Sequence, residues 1–380
     1  MQALIHWAGW AATILALTGA GYAFAAVCLA GRFKAARQRA LVKYPPVTLL
    51  KPLHLDEPRL RENLESFCRQ DYPAPLQIVF GIQDPLDPAV RVVEGLKRDY
   101  PNLDIELVID TRIYGANRKV SNLINLVERA KFDVLILSDS DIEAGTDYLP
   151  GVTASLENAG GGAVTCVYTG TALSNIWSRL VAMGINYQFI PNALFGTTIG
   201  LAAPCFGSTI ALRKDLLRRI GGMEAFSDLL ADDYEIGRAV REHGHRMTLA
   251  PVVVAHTCCE QSGQEMFAHE LRWARTIRLL NRSGHWGTLV THALPLALIA
   301  IALNGVTLFS GGVLGTALLA RLCVKWRMDQ VLGTSAGPAW LLPVRDVLSF
   351  AIFLGSLFGG NIRWRGTRFL VAPDGVLSHQ

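Results

Sequence analysis

From Trp7 to Leu29 the chain runs for 23 residues without one charged side chain. At about 1.5 Å per helical residue this length crosses a hydrocarbon core of about 30 Å, and backbone in lipid must satisfy its own hydrogen bonds, so the segment reads as a spanning helix. A cleaved signal peptide would carry basic residues before a shorter apolar core; here Arg32, Lys34, Arg37 and Arg39 follow the run. Positive-inside logic then puts the N-terminus outside and everything after Gly31 in the cytoplasm. Composition agrees with partial membrane residence: 51% of residues are hydrophobic and mean hydropathy is +0.28, while 18% are charged, against about 25% in ordinary soluble domains.

A net charge of +4 is too small for nucleic-acid binding, and Lys and Arg gather beside apolar stretches rather than along one polar face. No nucleic-acid partner is expected; the lipid bilayer is. The seven cysteines show no C-x-x-C spacing, which gives neither a zinc site nor a disulfide framework.

Two further apolar regions follow. Gly287 to Ala320 holds 34 residues with no charge beyond a possible proton on His292, enough for two tight spans turning near Asn304 or Ser310 and returning to Arg321, Lys325 and Arg327 inside. Ala339 to Gly359 is interrupted by Arg345 and Asp346 and followed by Arg363, Arg365 and Arg368. If it spans, those arginines lie outside; if it re-enters, they stay cytoplasmic, and both readings stand. The stretch Phe189 to Pro204 is too short and glycine-broken to span, and reads as an interfacial segment or a buried core segment.

At 380 residues there is room for one domain of about 200 to 250 residues with membrane elements appended. The expected division is an N-terminal transmembrane helix (1–31), a cytoplasmic catalytic domain (32–286), a transmembrane hairpin (287–324), a cytoplasmic loop (325–338), a third apolar segment (339–360) and a basic tail (361–380). Within the second of these, VTLLKP, LQIVFGIQD, DIELVID and FDVLILSDSD are short runs rich in Val, Ile and Leu. Helical patterns at Pro58 to Gln70, Pro88 to Tyr100 and Asn117 to Lys131 separate them. Such alternation predicts an α/β fold with parallel strands covered on both faces, in which ligands bind at the carboxyl ends of the strands.

The residues just past those ends carry the chemistry. Asp139-Ser140-Asp141 follows FDVLIL, and carboxylates at i and i+2 on an extended segment point the same way, toward one Mg²⁺ or Mn²⁺ and the diphosphate it neutralises. Turn or capping aspartates share this pattern. Asp84, in Gln83-Asp84-Pro85, ends another strand at the same edge, where it serves a base or ribose, or merely a turn. Gly115-Ala116-Asn117-Arg118-Lys119 opens a helix at the end that attracts anions, so Lys119 is a candidate for the diphosphate as well as for a solvated helix start. Asp232-Asp233-Tyr234 begins another helical pattern. Asp233 is the candidate base for an acceptor hydroxyl, Glu235 its rival, and Asp232 the candidate helix cap. In His269-Glu270-Leu271-Arg272-Trp273, positions 269, 272 and 273 share one helix face, offering a guanidinium for phosphate and an aromatic plate.

In this order, Asp84, Asp139-Ser140-Asp141, Asp233 and Arg272-Trp273 resemble the D, DxD, D, (Q/R)xxRW series of inverting GT-A glycosyltransferases of the ceramide-glucosyltransferase-like kind, closest to the bacterial hopanoid-biosynthesis glycosyltransferases. VTLLKPL, SFCRQDYP, ALRKDLL and HELRWARTIR add to the likeness, which covers nearly the whole chain. It implies a GT-A domain, a Rossmann-like, mostly parallel sheet, between an N-terminal transmembrane helix and a C-terminal helical membrane region. Asp84 would meet the nucleoside, Asp139 and Asp141 the metal and diphosphate, Asp233 would be the base, and Arg272 with Trp273 would hold the diphosphate and acceptor side. His269 departs from the Gln or Arg usual at the head of the last motif. The segment Asn186 to Gly200 also lacks the histidine of the animal sphingolipid enzymes, which favours the hopanoid branch. The expected activity is transfer of a hexose or N-acetylhexosamine from a UDP-sugar to a lipid hydroxyl at the bacterial inner membrane, N-acetylglucosamine to a hopanoid foremost. A ceramide or diacylglycerol glucosyltransferase is the alternative acceptor reading. A transporter or flippase component is the alternative from another class, and would need more spans with polar residues at mid-membrane.

Overall fold

The computed structural model describes residues 1–35, 41–55, 57–173, 175–359, 361–364, 367–371 and 377–379. Arg37, Arg39 and Arg365, three of the membrane-flank charges, lie outside the described residues. The chain divides into two units, the first made of Ala36–Thr169, Gly200–Thr257 and Gly375–Gln380, the second of Met1–Ala35, Gly170–Ile199 and Cys258–Asp374.

The first unit is built on an eight-stranded sheet of β1 (Val47–Pro52), β2 (Leu76–Ile82), β3 (Asp104–Ile109), β4 (Val134–Leu137), β5 (Ile142–Glu143), β6 (Ala163–Ala172), β7 (Ile210–Arg213) and β8 (Met247–Cys258), ordered β3-β2-β1-β4-β7-β6-β8-β5. β1 pairs in parallel with β2 and β4, and β2 with β3, so Leu50 lies level with Val79 on one side and Leu137 on the other. β7 enters antiparallel beside β4, which makes the sheet mixed. Alternate residues of the parallel strands feed two cores. Leu49, Ile78, Phe80 and Ile136 pack with Leu64 and Phe67 on one face, and Leu50, Val79 and Leu135 with Val120, Leu123 and Ile236 on the other. Burial of both faces is why these strands are continuously apolar rather than alternating. The parallel pairing puts the carboxyl ends of β1 to β4 along one edge.

In the second unit the helix Gln2–Ala35 buries Ala12, Ala16, Ala20, Ala23, Ala26 and Ala30, which recur every three or four residues on one face, while Trp7, Trp10, Ile14 and Leu17 lie exposed. Small side chains let helices approach closely where lipid supplies no hydrophobic drive, and Ala16 packs with Ala293, Ala297 and Ala317. At Gly19 the backbones themselves approach closely: a Cβ there would stand 2.1 Å from the Val290 carbonyl oxygen. Gln2–Phe33, Leu308–Leu332 and Ala339–Ser356 are each long and apolar enough to cross a membrane. The helix Ala293–Asn304 has 12 residues, about 18 Å of rise, and is bent by 66° against Arg282–Thr291. The chain turns at Gly305, whose φ is 83°, and Thr307 caps the next helix.

That next helix runs on past Ala320 and takes Arg321 into the buried interior. The reason lies in the third apolar stretch, whose interrupting charges are both buried and paired. Arg321 Nε and Nη2 donate to the two oxygens of Asp346, each at 2.8 Å. Arg345 Nη1 and Nη2 donate to the two oxygens of Glu270, each at 2.6 Å. Forked pairing offsets much of the desolvation cost that a single charge would bring. The stretch Phe189 to Pro204 is helical from Ile190 to Thr198 and packs on the N-terminal helix, where Tyr22 donates to Asn192 Oδ1 at 2.7 Å.

Arg321→Met leaves Asp346 buried without its partner and is expected to cost about 3–5 kcal/mol. Replacing both, as Arg321→Met with Asp346→Leu, restores most of the loss, as read from thermal unfolding in detergent. A double variant no more stable than the single would show that the pair is not the source of the cost.

Candidate active site

The chemistry collects beyond the carboxyl end of β4, where two residues past the strand Asp139 opens the Asp139-Ser140-Asp141 turn. Lys51 on the adjacent strand β1 lies under this turn. Its wholly buried ammonium donates to the Asp139 carbonyl at 2.7 Å and to the Ser138 hydroxyl at 3.1 Å, and stands 3.6 Å from the centre of the Phe67 ring. Burial pulls its pKa down to about 7, although Asp139 and Asp141 draw it the other way. On the outer side, Ser140 donates to Glu57 Oε2 at 2.5 Å.

Lys119 reaches the turn from the helix Arg118–Val127. Asn117 caps this helix by accepting from the Val120 amide at 3.1 Å. The loop before it is fastened to the loop that precedes Asp232: the Asn117 amide donates to the Ser227 carbonyl, the Ala116 amide to Asp228 Oδ1 and the Asn117 side chain to the Leu229 carbonyl, each at 2.8 Å. Gly115 permits this contact, because a Cβ would stand 2.5 Å from the Ser227 carbonyl oxygen. Fastening the loops sets Lys119 Nζ between Asp139 Oδ1 at 2.7 Å and Asp232 Oδ2 at 3.0 Å. Burial alone would lower the pKa of this ammonium, but Asp139, Asp232 and Asp233 together hold it above the ordinary lysine value.

Asp233 faces the same point. Its Oδ2 accepts from the Gly207 amide at 3.0 Å and its Oδ1 from the Tyr234 amide at 2.7 Å. Desolvation, with Asp232 beside it, pushes the Asp233 carboxyl up to about 6. Gly207 is the junction of the cluster: a Cβ there would stand 2.8 Å from Asp139 Oδ2 and 3.1 Å from Lys119 Nζ. Asp141 turns to His256 on β8, with Nδ1 3.3 Å from its Oδ2. Surrounding protein would raise the Asp141 carboxyl, but His256 and the two lysines hold it below the ordinary range. Asp139 lies above its ordinary value for want of solvation, although its side chain is still 32% exposed.

The structure thus brings Asp139, Asp141, Asp233 and Lys119 together. Asp232 is part of the same cluster as a partner of Lys119; it makes no capping hydrogen bond to its helix. Glu235, the rival base, is buried and accepts from Arg238 Nε at 2.7 Å. Asp84 is exposed at the carboxyl edge just past β2, and its Oδ1 accepts from the Leu86 amide at 2.9 Å, closing a local turn. Arg272 and Trp273 lie in the other unit, on the helix Gly263–Leu280. There the ring of His269 packs 4.3 Å from that of Trp273 and its Nδ1 lies 2.6 Å from Glu260 Oε1, so the motif's unusual first residue braces the tryptophan. Lys51, Gly207 and His256 were not singled out from sequence. Only Lys51 carried a signal, as the one charge in an otherwise apolar strand.

The model of glycosyl transferase family 21 matches residues 11–377. The chain belongs to glycosyl transferase family 21. Among relatives of this family 21 chain, ceramide glucosyltransferase 1 of Caenorhabditis elegans is 24% identical over 243 residues, 64% of this chain and 49% of that protein. The ceramide glucosyltransferase of Candida albicans is 33% identical over 124 residues, 30% of this chain and 23% of that one. The family 21 chain spans about half the length of the first of these relatives or less of the second. Its GT-A fold is shared with the mannosyltransferase of Pyrobaculum calidifontis, solved in complex with GDP-Man and Mn²⁺, at a TM-score of 0.50 and 19% identity over 91% of this chain and 97% of that one.

Gly207→Ala tests the junction in this family 21 site. The new methyl meets only the ends of flexible side chains, so melting is expected to stay at the wild-type value. The Asp139 carboxylate and Lys119 are displaced, and affinity for UDP with Mn²⁺, the pair the D-x-D reading expects, falls about tenfold. Calorimetric titration showing unchanged affinity would remove Gly207 from the site.

Proposed function

We propose that this chain is an inverting membrane glycosyltransferase that moves a hexose or N-acetylhexosamine from a UDP-sugar to a lipid hydroxyl, and that N-acetylglucosamine and a hopanoid are the pair it joins. The observation that carries the reading is the convergence of Asp139, Asp141, Asp233 and Lys119 at one sheet edge in a family 21 chain. The motif resemblance supports the hopanoid. The ceramide glucosyltransferases among the relatives support ceramide as the second acceptor. The uncharged run followed by Arg32 supports a cytoplasmic catalytic unit at a bacterial inner membrane.

A divalent cation fits the residues present. Among the described residues no three His, Cys, Asp or Glu side chains form a closed cage, and Asp139 with Asp141 offers two hard carboxylates, the protein share of a Mg²⁺ or Mn²⁺ site completed by diphosphate and water. When bound, the ion would supply charge stabilisation for the departing diphosphate. Asp84 would then take the nucleoside, Lys119 the diphosphate, and Arg272 with Trp273 the diphosphate and the acceptor side. Asp233 accepts the proton of the lipid hydroxyl as its oxygen attacks the anomeric carbon. The bond from that carbon to the diphosphate breaks on the opposite face, and UDP leaves with the electron pair.

Asp233→Asn is expected to lower turnover by about a hundredfold or more while UDP still binds, as measured by product formation and calorimetry. Because folding raises this carboxyl, its ionised form above pH about 6 disfavours the fold, which offsets the loss of one of the two acceptors that serve the Gly207 and Tyr234 amides, so the neutral variant should remain folded at pH 7. A base must be ionised to accept a proton, so kcat/KM should rise with pH through a limb centred near the same value of about 6. An acid limb near that of an ordinary carboxylate, or turnover that survives Asp233→Asn, would remove Asp233 as the base. Mass spectrometry of lipid products, after offering UDP-sugars with hopanoid, ceramide and diacylglycerol, decides donor and acceptor.

A further inference from the structure

In the membrane-helix unit, Arg272 and Trp273 share their helix with Glu270, which lies off their face by roughly 100° and in the motif is an unspecified position. Both oxygens of Glu270 accept from Arg345 at 2.6 Å, and both side chains are buried. A fork-to-fork pair fixes direction as well as distance, because two parallel bonds cannot both survive a rotation of either partner. The guanidinium lies flat on Gly184, where a Cβ would stand 2.5 Å from Nη2, 2.6 Å from Cζ and 2.9 Å from Nε. The residue after Arg345 is Asp346, which holds Arg321 by a second fork. Arg321 in turn donates to the Tyr187 carbonyl at 2.8 Å, inside the π-helical turn Ile185–Phe189. Consecutive charges on the helix Leu342–Ser356 therefore tie three elements to one another.

We propose that the Glu270–Arg345 pair positions the Arg272-Trp273 face, which makes the third apolar helix part of the donor-binding machinery rather than an anchor alone; this rests on the reading that Arg272 and Trp273 serve the donor. The magnitude favours such a role. A helix turned by about 20° sweeps side-chain tips about 6 Å from its axis through about 2 Å, and about 1 Å of misplacement can cost a hundredfold in turnover. A buried pair contributes little net stability against apolar replacements of the same volume, so its distinctive contribution here is orientation.

The test is UDP binding in the presence of Mn²⁺, measured by calorimetry on the full chain in nanodiscs together with thermal melting. Arg345→Lys keeps the charge and loses the parallel bonds. Gly184→Ala keeps both charges and pushes the guanidinium aside. Arg272→Ala is the reference for the donor reading itself. Both positioning variants are expected to weaken UDP binding about tenfold, in the direction of Arg272→Ala, while melting as folded proteins. If Arg272→Ala leaves UDP binding unchanged, the donor reading falls and the positioning role with it. If Arg272→Ala weakens binding while Arg345→Lys and Gly184→Ala match wild type, the positioning role alone is overturned. Should Arg345→Lys fail to fold, the apolar pair Glu270→Met with Arg345→Leu decides: weakened UDP binding in a folded protein upholds the role, and wild-type binding overturns it.

Discussion

Four carboxylates crowded at one sheet edge repel one another, and the sheet unit depends on how two lysines answer that repulsion. Lys51 holds the Asp139-Ser140-Asp141 turn from below through its backbone and through Ser138, while Lys119 bridges Asp139 and Asp232 directly. Lys51 is wholly buried and Lys119 largely so, so the attraction is diluted less than it would be at an open surface. Desolvation, with Asp232 beside it, keeps the Asp233 carboxyl high, at about 6, in the range where a carboxylate is a better base than an ordinary one and is still ionised at neutral pH.

The scaffold that sets this geometry is mainly backbone. The parallel strands β1 to β4 end along one edge, and the loops at 115–117 and 227–229 are joined by hydrogen bonds just before Lys119 and Asp232. Glycines appear where two groups must touch without a side chain between them. Gly115 does this for the loops and Gly207 for the carboxylate cluster. In the membrane-helix unit the same economy recurs in another form: alanines on one face of the N-terminal helix let the helices close up, and Gly184 gives Arg345 a flat seat.

Charges inside apolar helices were the hardest feature to interpret from sequence. Arg321, Arg345 and Asp346 looked like ends or interruptions of membrane segments, because an isolated charge in lipid is costly. Their partners come from positions far along the chain: Asp346 for Arg321, Glu270 for Arg345. Pairing at such separation leaves no local pattern. His269 is similar, since its bond to Glu260 and its packing on Trp273 explain a departure from the motif that spacing alone could not.

Local rules determined the strands VTLLKP, LQIVFGI, DIELVI and VLIL, the helices between them, and the uncharged run at the N-terminus, because period and apolar run length act between near neighbours. They also put Asp84 and Asp139 just past strand ends. Only the tertiary structure decided that Asp232 pairs with Lys119 instead of capping its helix and that Lys51 lies under the D-x-D turn. The physical reason is that a side chain's charge is satisfied by whatever lies within about 3 to 4 Å, and that neighbour is chosen by the packing of the whole sheet, not by the residues on either side.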